Sequence, residues 1–134
     1  MLKGIAETCI YATNLEETEL FYKEVLCFEV VMREENRHVF FKCGDDMLLL
    51  FNPDLTGNEQ TDVGGKRVPL HGATGSVHVA FSVDSGTINS VKERLQTHGI
   101  SVESEISWPN GSHSVYFRDP AGNSLEIVTE NMWK

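Results

Sequence analysis

The sequence is short of basic residues, and it contains neither a long apolar run nor a cluster of lysines and arginines. Lysine and arginine total 11, aspartate and glutamate total 20, and the formal net charge is −9. Because an acidic chain repels phosphate groups and no polybasic stretch is present, we expect neither nucleic acid nor a membrane surface as a partner. No apolar run approaches the length of a transmembrane helix, and the first residues do not resemble a signal peptide.

Cysteine is also scarce: Cys9, Cys27 and Cys43 are scattered and form no CxxC pair. This odd set predicts reduced thiols and a cytoplasmic location. The sequence shows no Ser–His–Asp or Cys–His arrangement that would indicate nucleophilic catalysis, and no glycine-rich phosphate loop. Its 134 residues suffice for one compact domain.

The chain carries an internal duplication. Residues 7–14 and 78–85 each combine a polar residue, a short alternating strand and a helix start, and a later strand follows in each half. We therefore predict a single α+β domain over residues 1–134, built of two β-α-β-β-β modules at about residues 4–52 and 76–130. Residues 53–75 between them are rich in glycine and proline, so we expect a flexible linker that serves as a lid or a dimer arm.

Local signals predict where the elements begin and end. Thr13 or Asn14 is expected to cap the first helix, with a capping box between Thr13 and Glu16, and this helix should end near residue 26. The second helix should cover residues 85–98 and end at Gly99. Strands are expected at residues 5–12, 28–33, 37–43, 47–52, 77–83, 101–107, 113–118 and 123–129.

The alternation of side chains places three ionisable residues on one side of their strands. If His78 faces a cleft, its apolar neighbours on the strand pack under the helix. By the same alternation, Glu126 and Glu7 can face the cleft while the apolar residues of their strands face the core. Carboxylates in such positions need one another, a cation or water, because an unpaired buried charge is costly. Two interpretations stay open: a divalent metal site, or a metal-free trio in which a cationic His78 pairs with both carboxylates.

Three stretches in this order resemble the vicinal oxygen chelate superfamily, and in particular its glyoxalase-like proteins. They are NLEETELFYKEVLCF at residues 14–28, HVAF at residues 78–81 and YFRDPAGNSLEI at residues 116–127. The superfamily includes glyoxalase I, extradiol dioxygenases, fosfomycin-resistance proteins and bleomycin-binding proteins. The resemblance implies that the two modules form a partial barrel around a central cleft, with a metal on its concave face.

The resemblance also implies which residues form the site. Its four ligand positions fall on Glu7, Leu49, His78 and Glu126. Leu49 cannot coordinate a metal, so we predict Glu7, His78 and Glu126 as ligands and Leu49 as a substrate contact. One imidazole and two carboxylates favour Mn(II), Fe(II), Ni(II), Zn(II) or Mg(II).

Other residues are weaker candidates. Tyr116 and Arg118 are predicted to fix a substrate carboxylate or oxyanion, although Arg118 could instead brace the adjacent turn. His71 could act as a general acid–base group or be an ordinary loop histidine. Tyr11 and Trp108 are predicted substrate contacts, with a dimer partner as the alternative for Trp108.

These features favour a glyoxalase-like metalloenzyme whose metal chelates two adjacent oxygens of a small oxygen-rich substrate, with Glu7 as the base. The reaction could be that of an isomerase, a lyase or a dioxygenase. The alternative is a metal-free binding protein of the bleomycin-resistance type, whose acidic cleft holds a cationic molecule, and a third reading is an inactive interaction module. The resemblance implies a homodimer in each case.

Overall fold

The computed structural model describes residues 1–134 and has an α+β fold, as predicted. Three helices are present, together with a 3-10 turn at Ser85–Thr87. The helices are α1 (Leu15–Glu24), α2 (Pro53–Thr56) and α3 (Ile88–Thr97). The strands are β1 (Thr8–Tyr11), β2 (Glu29–Glu34), β3 (His38–Cys43), β4 (Asp46–Phe51), β5 (Thr61–Val63), β6 (Lys66–Val68), β7 (His78–Val83), β8 (Ser104–Ser107), β9 (His113–Arg118) and β10 (Ser124–Thr129).

The chain divides into two compact units, Met1–Thr74 and Gly75–Lys134. The first unit has a four-stranded sheet in the order β1-β4-β3-β2, with β1 parallel to β4. Helix α1 packs against β3 and β4. Its core includes the fully buried side chains of Tyr22, Phe41 and Leu50, which explains why the apolar run in β4 forms an inner strand of this sheet.

The second unit repeats this arrangement in its sheet order β7-β10-β9-β8, with β7 parallel to β10 and α3 packed against β10. The predicted duplication is therefore confirmed. Each of the two units has its own four-stranded sheet. Register makes the equivalence specific: Cys9 pairs with Leu49 in the first unit, and Ala80 pairs with Glu126 in the second. If Leu49 and Glu126 are matched, as the resemblance implies, Glu7 and His78, each two residues before the paired residue, occupy equivalent positions.

The segment at residues 53–75 contains more regular structure than its composition predicts. It holds α2, which begins with Pro53 after Asn52, and the hairpin of β5 and β6. The side-chain oxygen of Asn52 accepts a hydrogen bond from Asp54 N–H, which caps α2. Through residue 74 the segment belongs to the first unit.

The start of α1 differs from the prediction. The capping box between Thr13 and Glu16 is wrong, because Asn14 is the N-cap residue and its side chain makes no capping hydrogen bond. Instead, Asn14 Nδ2 donates to Glu17 Oε2 at 3.2 Å. Strand β1 is also shorter than expected, so Glu7 lies just before it. None of the helices has the length and apolarity of a membrane span.

Candidate functional site

The second unit brings two predicted metal ligands together. His78 Nε2 lies 3.7 Å from Glu126 Oε1, across the parallel pair of β7 and β10. The Glu126 side chain is only 8% exposed, whereas that of His78 is 51% exposed. The separation exceeds a hydrogen bond, so the two groups converge without binding each other directly.

The other ring nitrogen of His78 fixes the orientation of the imidazole. Its Nδ1 lies 3.0 Å from the carbonyl oxygen of Ser124, which can only accept a hydrogen bond. Nδ1 therefore carries a proton, and in the neutral ring Nε2 presents its lone pair toward Glu126. A backbone carbonyl that holds one ring nitrogen while the other stays free is the usual support of a metal-binding histidine.

Glu126 has the hydroxyl groups of Ser114 and Tyr116 beside it, but no lysine or arginine. Ser114 Oγ donates to its Oε2 at 3.3 Å, and Trp108 Nε1 donates to Ser114 Oγ at 2.8 Å. The ion pairs of lysine and arginine involve other acids, namely Glu19, Glu34, Glu103 and Glu105. A carboxylate this deeply buried, with one weak histidine contact, retains capacity for a cation.

Tyr116 completes this cluster. It lies opposite Glu126 in the antiparallel pair of β9 and β10, and its ring stacks on His78 with centroids 6.2 Å apart. Desolvation is the largest cause that raises the pKa of the Tyr116 hydroxyl, and the Glu126 carboxylate raises it further, while a hydrogen bond with Ser114 opposes the shift. The hydroxyl is therefore protonated at neutral pH and can act as a hydrogen-bond donor.

Arg118 is occupied by neighbours in its own unit. Its Nε and Nη2 donate to the two carboxylate oxygens of Glu103 at 2.8 and 3.2 Å. Its Nη1 donates to Ser76 Oγ and to the carbonyl oxygen of Gly122, both at 3.1 Å. These contacts match the bracing role that the sequence left open for Arg118. Its role toward a substrate stays a prediction.

The first unit places Tyr11 and His71 in direct contact. The Tyr11 hydroxyl and His71 Nδ1 share a hydrogen bond of 2.8 Å. The His71 ring also meets Phe51 edge-on at a centroid distance of 4.7 Å, and its backbone N–H donates to Thr56 O at 3.0 Å. His71 is thus anchored by side chain and backbone to its unit rather than being an isolated loop histidine.

Leu49 and Glu7 have different surroundings in this unit. Leu49 is 5% exposed and lies opposite Cys9 and Phe40 in the sheet, and Glu7 is exposed. The structure contains no group of three histidine, cysteine or acidic side chains that could hold a metal. The three-ligand set therefore stays a prediction, of which His78 and Glu126 form an observed pair.

The sequence analysis assigned no role to two sets of residues. One is Ser114, which strand alternation could have identified, because it lies two residues before Tyr116 on the same face of β9. The other is the aromatic group around Phe51, where His38 and Phe40 stack at 4.2 Å. His38 and Phe40 lie two residues apart on one face of β3, but their contacts with Phe51 give no local sequence signal, since these depend on the pairing of β3 with β4.

Comparison with known proteins identifies the family of the chain. The family model described as the Glyoxalase/Bleomycin resistance protein/Dioxygenase superfamily matches residues 4–127. The metallothiol transferase FosB of Shouchella clausii (strain KSM-K16) is 27% identical over 131 residues, which cover 96% of this chain and 82% of that protein.

Solved structures agree. The lactoylglutathione lyase of Agrobacterium tumefaciens is 41% identical, with a TM-score of 0.90 and coverage of 98% of this chain and 97% of that one. The fosfomycin resistance protein FosX of Mesorhizobium loti shares the fold, with a TM-score of 0.68 at 20% identity and coverage of 98% and 96%. The chain therefore belongs to the Glyoxalase/Bleomycin resistance protein/Dioxygenase superfamily.

Proposed function

We propose that this chain is a metal-dependent enzyme of the glyoxalase type that acts on a small oxygen-rich substrate. The observation that carries the proposal is the pair of His78 and Glu126, with Nε2 and Oε1 converging at 3.7 Å and Nδ1 held by Ser124. The lone pair of His78 and the charge of Glu126 suit a divalent cation. Two relatives named as a lyase and a metallothiol transferase support enzymatic activity.

In this proposal His78 and Glu126 hold the metal, and Glu7 is the predicted third ligand. Mn(II), Fe(II), Ni(II), Zn(II) and Mg(II) are the candidates, as the donor set is one imidazole with carboxylates. When bound, the metal supplies Lewis acidity that stabilises negative charge on two adjacent substrate oxygens. The exposed side of His78 leaves room for a ligand on this face of the unit.

The protein's own side chains have separate roles in this scheme. The Tyr116 hydroxyl donates a hydrogen bond to a substrate oxygen, since its raised pKa keeps it protonated. Glu7 is the candidate base once the substrate displaces it from the metal, because it is an exposed carboxylate outside the pairing of its strand. Arg118 stabilises the turn before β10 through Gly122 and Ser76, and thereby the strand that carries Glu126.

The relatives narrow the substrate class. Their names, lactoylglutathione lyase and metallothiol transferase, both involve a thiol or its adduct. We therefore propose an oxygen-rich substrate that carries or accepts a thiol group. The resemblance implies that glyoxalase I has a metal ligand at the position of Leu49. Because leucine cannot coordinate a metal, we propose a different ligand set in this chain.

Elemental analysis of the purified protein tests the metal directly. After chelation, the protein is refilled separately with Mn, Fe, Ni and Zn, and compared with His78→Ala and with the control His98→Ala. His98 lies at the end of α3, away from Glu126, and bonds only its own helix through Arg94 O. One metal per chain that is lost only in His78→Ala supports the proposal. No metal in any refilled sample rejects it.

A second candidate is metal-free binding of a small molecule. The aromatic group of Tyr11, His38, Phe40, Phe51 and His71 in the first unit favours it, because stacked rings can hold a planar or cationic ligand. Titration of metal-free protein with cationic aromatic compounds tests this function. The expected homodimer is a separate proposal, and light scattering coupled to gel filtration measures it.

A further inference from the structure

Glu126 is connected to a hydrogen-bond chain that no predicted role uses. Trp108 Nε1 donates to Ser114 Oγ at 2.8 Å, and Ser114 Oγ donates to Glu126 Oε2 at 3.3 Å. All three residues belong to the second unit, and Ser114 is 0% exposed. Water therefore does not reach the hydroxyl that joins the other two groups.

The donor and acceptor groups give the hydrogen bonds from Trp108 through Ser114 a single direction. An indole N–H can donate but cannot accept, so Ser114 Oγ must accept from Trp108. The single proton of Ser114 then has two acceptors within reach, Glu126 Oε2 at 3.3 Å and the Tyr116 hydroxyl, and the carboxylate is the stronger acceptor of the two. The opposite oxygen, Oε1, is the one that faces His78 at 3.7 Å.

The backbone register makes the arrangement rigid. Ser114 lies opposite Val128 on β10, two residues beyond Glu126, and Tyr116 lies opposite Glu126 itself. Trp108 N–H and Gly111 N–H bond the carbonyl oxygens of Ser112 and Trp108, which closes the turn that carries the indole. The turn between β8 and β9 thus presents the indole to a fixed point on β9.

We propose that Ser114, held by Trp108, is a positioning residue that reserves Oε2 of Glu126 for a hydrogen bond and presents Oε1 beside His78 as the metal-binding oxygen. The proposal rests on the metal-dependent function described above. Loss of a supporting hydrogen bond to a metal ligand typically weakens metal affinity by about 10- to 100-fold. Trp108 acts only through Ser114, so its effect cannot add to that of Ser114.

Zn(II) affinity of the metal-free protein, measured by competition with a chromophoric chelator, tests the proposal. We expect Ser114→Ala to weaken affinity about tenfold, Trp108→Phe to weaken it less, and the double variant to match Ser114→Ala. Trp133→Phe is the matched control, because Trp133 is 90% exposed. Unchanged affinity in Ser114→Ala, or additive losses in the double variant, would overturn the proposal.

A second readout does not need a metal. The chain has two tryptophans, so the Trp133→Phe background leaves one indole N–H resonance, that of Trp108. In metal-free protein we expect this resonance to shift in both Ser114→Ala and Glu126→Gln. A shift in neither variant overturns the hydrogen-bond chain. If both variants shift the Trp108 resonance but the parent protein binds no Zn(II), the hydrogen bonds are established. The proposed function and the metal-positioning role of Ser114 are then rejected.

Discussion

His78 Nδ1 donates a hydrogen bond to the carbonyl oxygen of Ser124, the residue that lies opposite it in the parallel pair of β7 and β10. The bond joins a side chain to the backbone of the strand that also carries Glu126. Rotation of the imidazole would break it, so the direction of Nε2 depends on strand register rather than on surface flexibility. The pair is therefore preorganised before any ligand arrives.

Removing the charge of Glu126 should weaken metal binding. We expect Glu126→Gln to reduce Zn(II) or Mn(II) affinity about tenfold, because an amide oxygen is a poorer ligand than a carboxylate. Glu103→Gln is the matched control, since Glu103 is exposed and pairs with Arg118 instead. Chelator competition measures both. Equal stoichiometry and affinity in Glu126→Gln and in the parent would refute the assignment of Glu126 as a ligand.

The contact of Tyr11 with His71 should contribute to the stability of the first unit. Tyr11→Phe removes only the hydroxyl, and we expect it to lower the free energy of unfolding by about 1 kcal/mol. Urea denaturation of Tyr11→Phe, His71→Leu and the double variant gives the coupling energy of the pair. A coupling energy indistinguishable from zero would show that the 2.8 Å hydrogen bond is absent in solution.

Acid should destabilise the protein through His38. Burial lowers the pKa of His38 below its ordinary value of 6.5, and Glu34 opposes the shift only partly. The folded state then binds fewer protons than the unfolded state, so the stability from neutral His38 is complete above pH 6.5 and declines as pH falls toward the folded pKa.

The ring of His38 stacks on Phe40, and its Nδ1 is buried without a hydrogen bond. These surroundings explain why the charged form of the imidazole is disfavoured. Between pH 7.5 and 5.5, the free energy of unfolding measured by denaturation should fall less in His38→Phe than in the parent protein. His98→Ala serves as the histidine control. An equal loss of stability in His38→Phe and the parent would exclude this source of acid sensitivity.

Replacing Cys27 should stabilise the protein. Cys27 has φ 61°, a left-handed conformation that disfavours a Cβ atom. We expect Cys27→Gly to raise the free energy of unfolding by about 1 kcal/mol. Asn36, with φ 63°, is the control, because asparagine tolerates this conformation and Asn36→Gly should change little. A lower melting temperature of Cys27→Gly would contradict the argument.

The elements of the fold were largely predictable. Apolar alternation located β7, where His78, Ala80 and Ser82 are exposed and Val79, Phe81 and Val83 are less so. The start of α1 was not predictable in detail, since Thr13 and Asn14 are both good N-cap residues and the choice depends on how the chain leaves β1. The structure of residues 53–75 was missed because short helices and hairpins leave little periodicity in composition.

The sequence by itself determined the two repeated modules and the positions of His78 and Glu126, because strand period and local motif depend on neighbours along the chain. Tertiary structure decided which groups meet: Ser124 O with His78, Ser114 and Trp108 with Glu126, and His71 with Tyr11. These partners lie 6 to 60 residues apart. Only the register of paired strands and the path of loops bring such positions within hydrogen-bond distance, and neither is encoded in a local pattern.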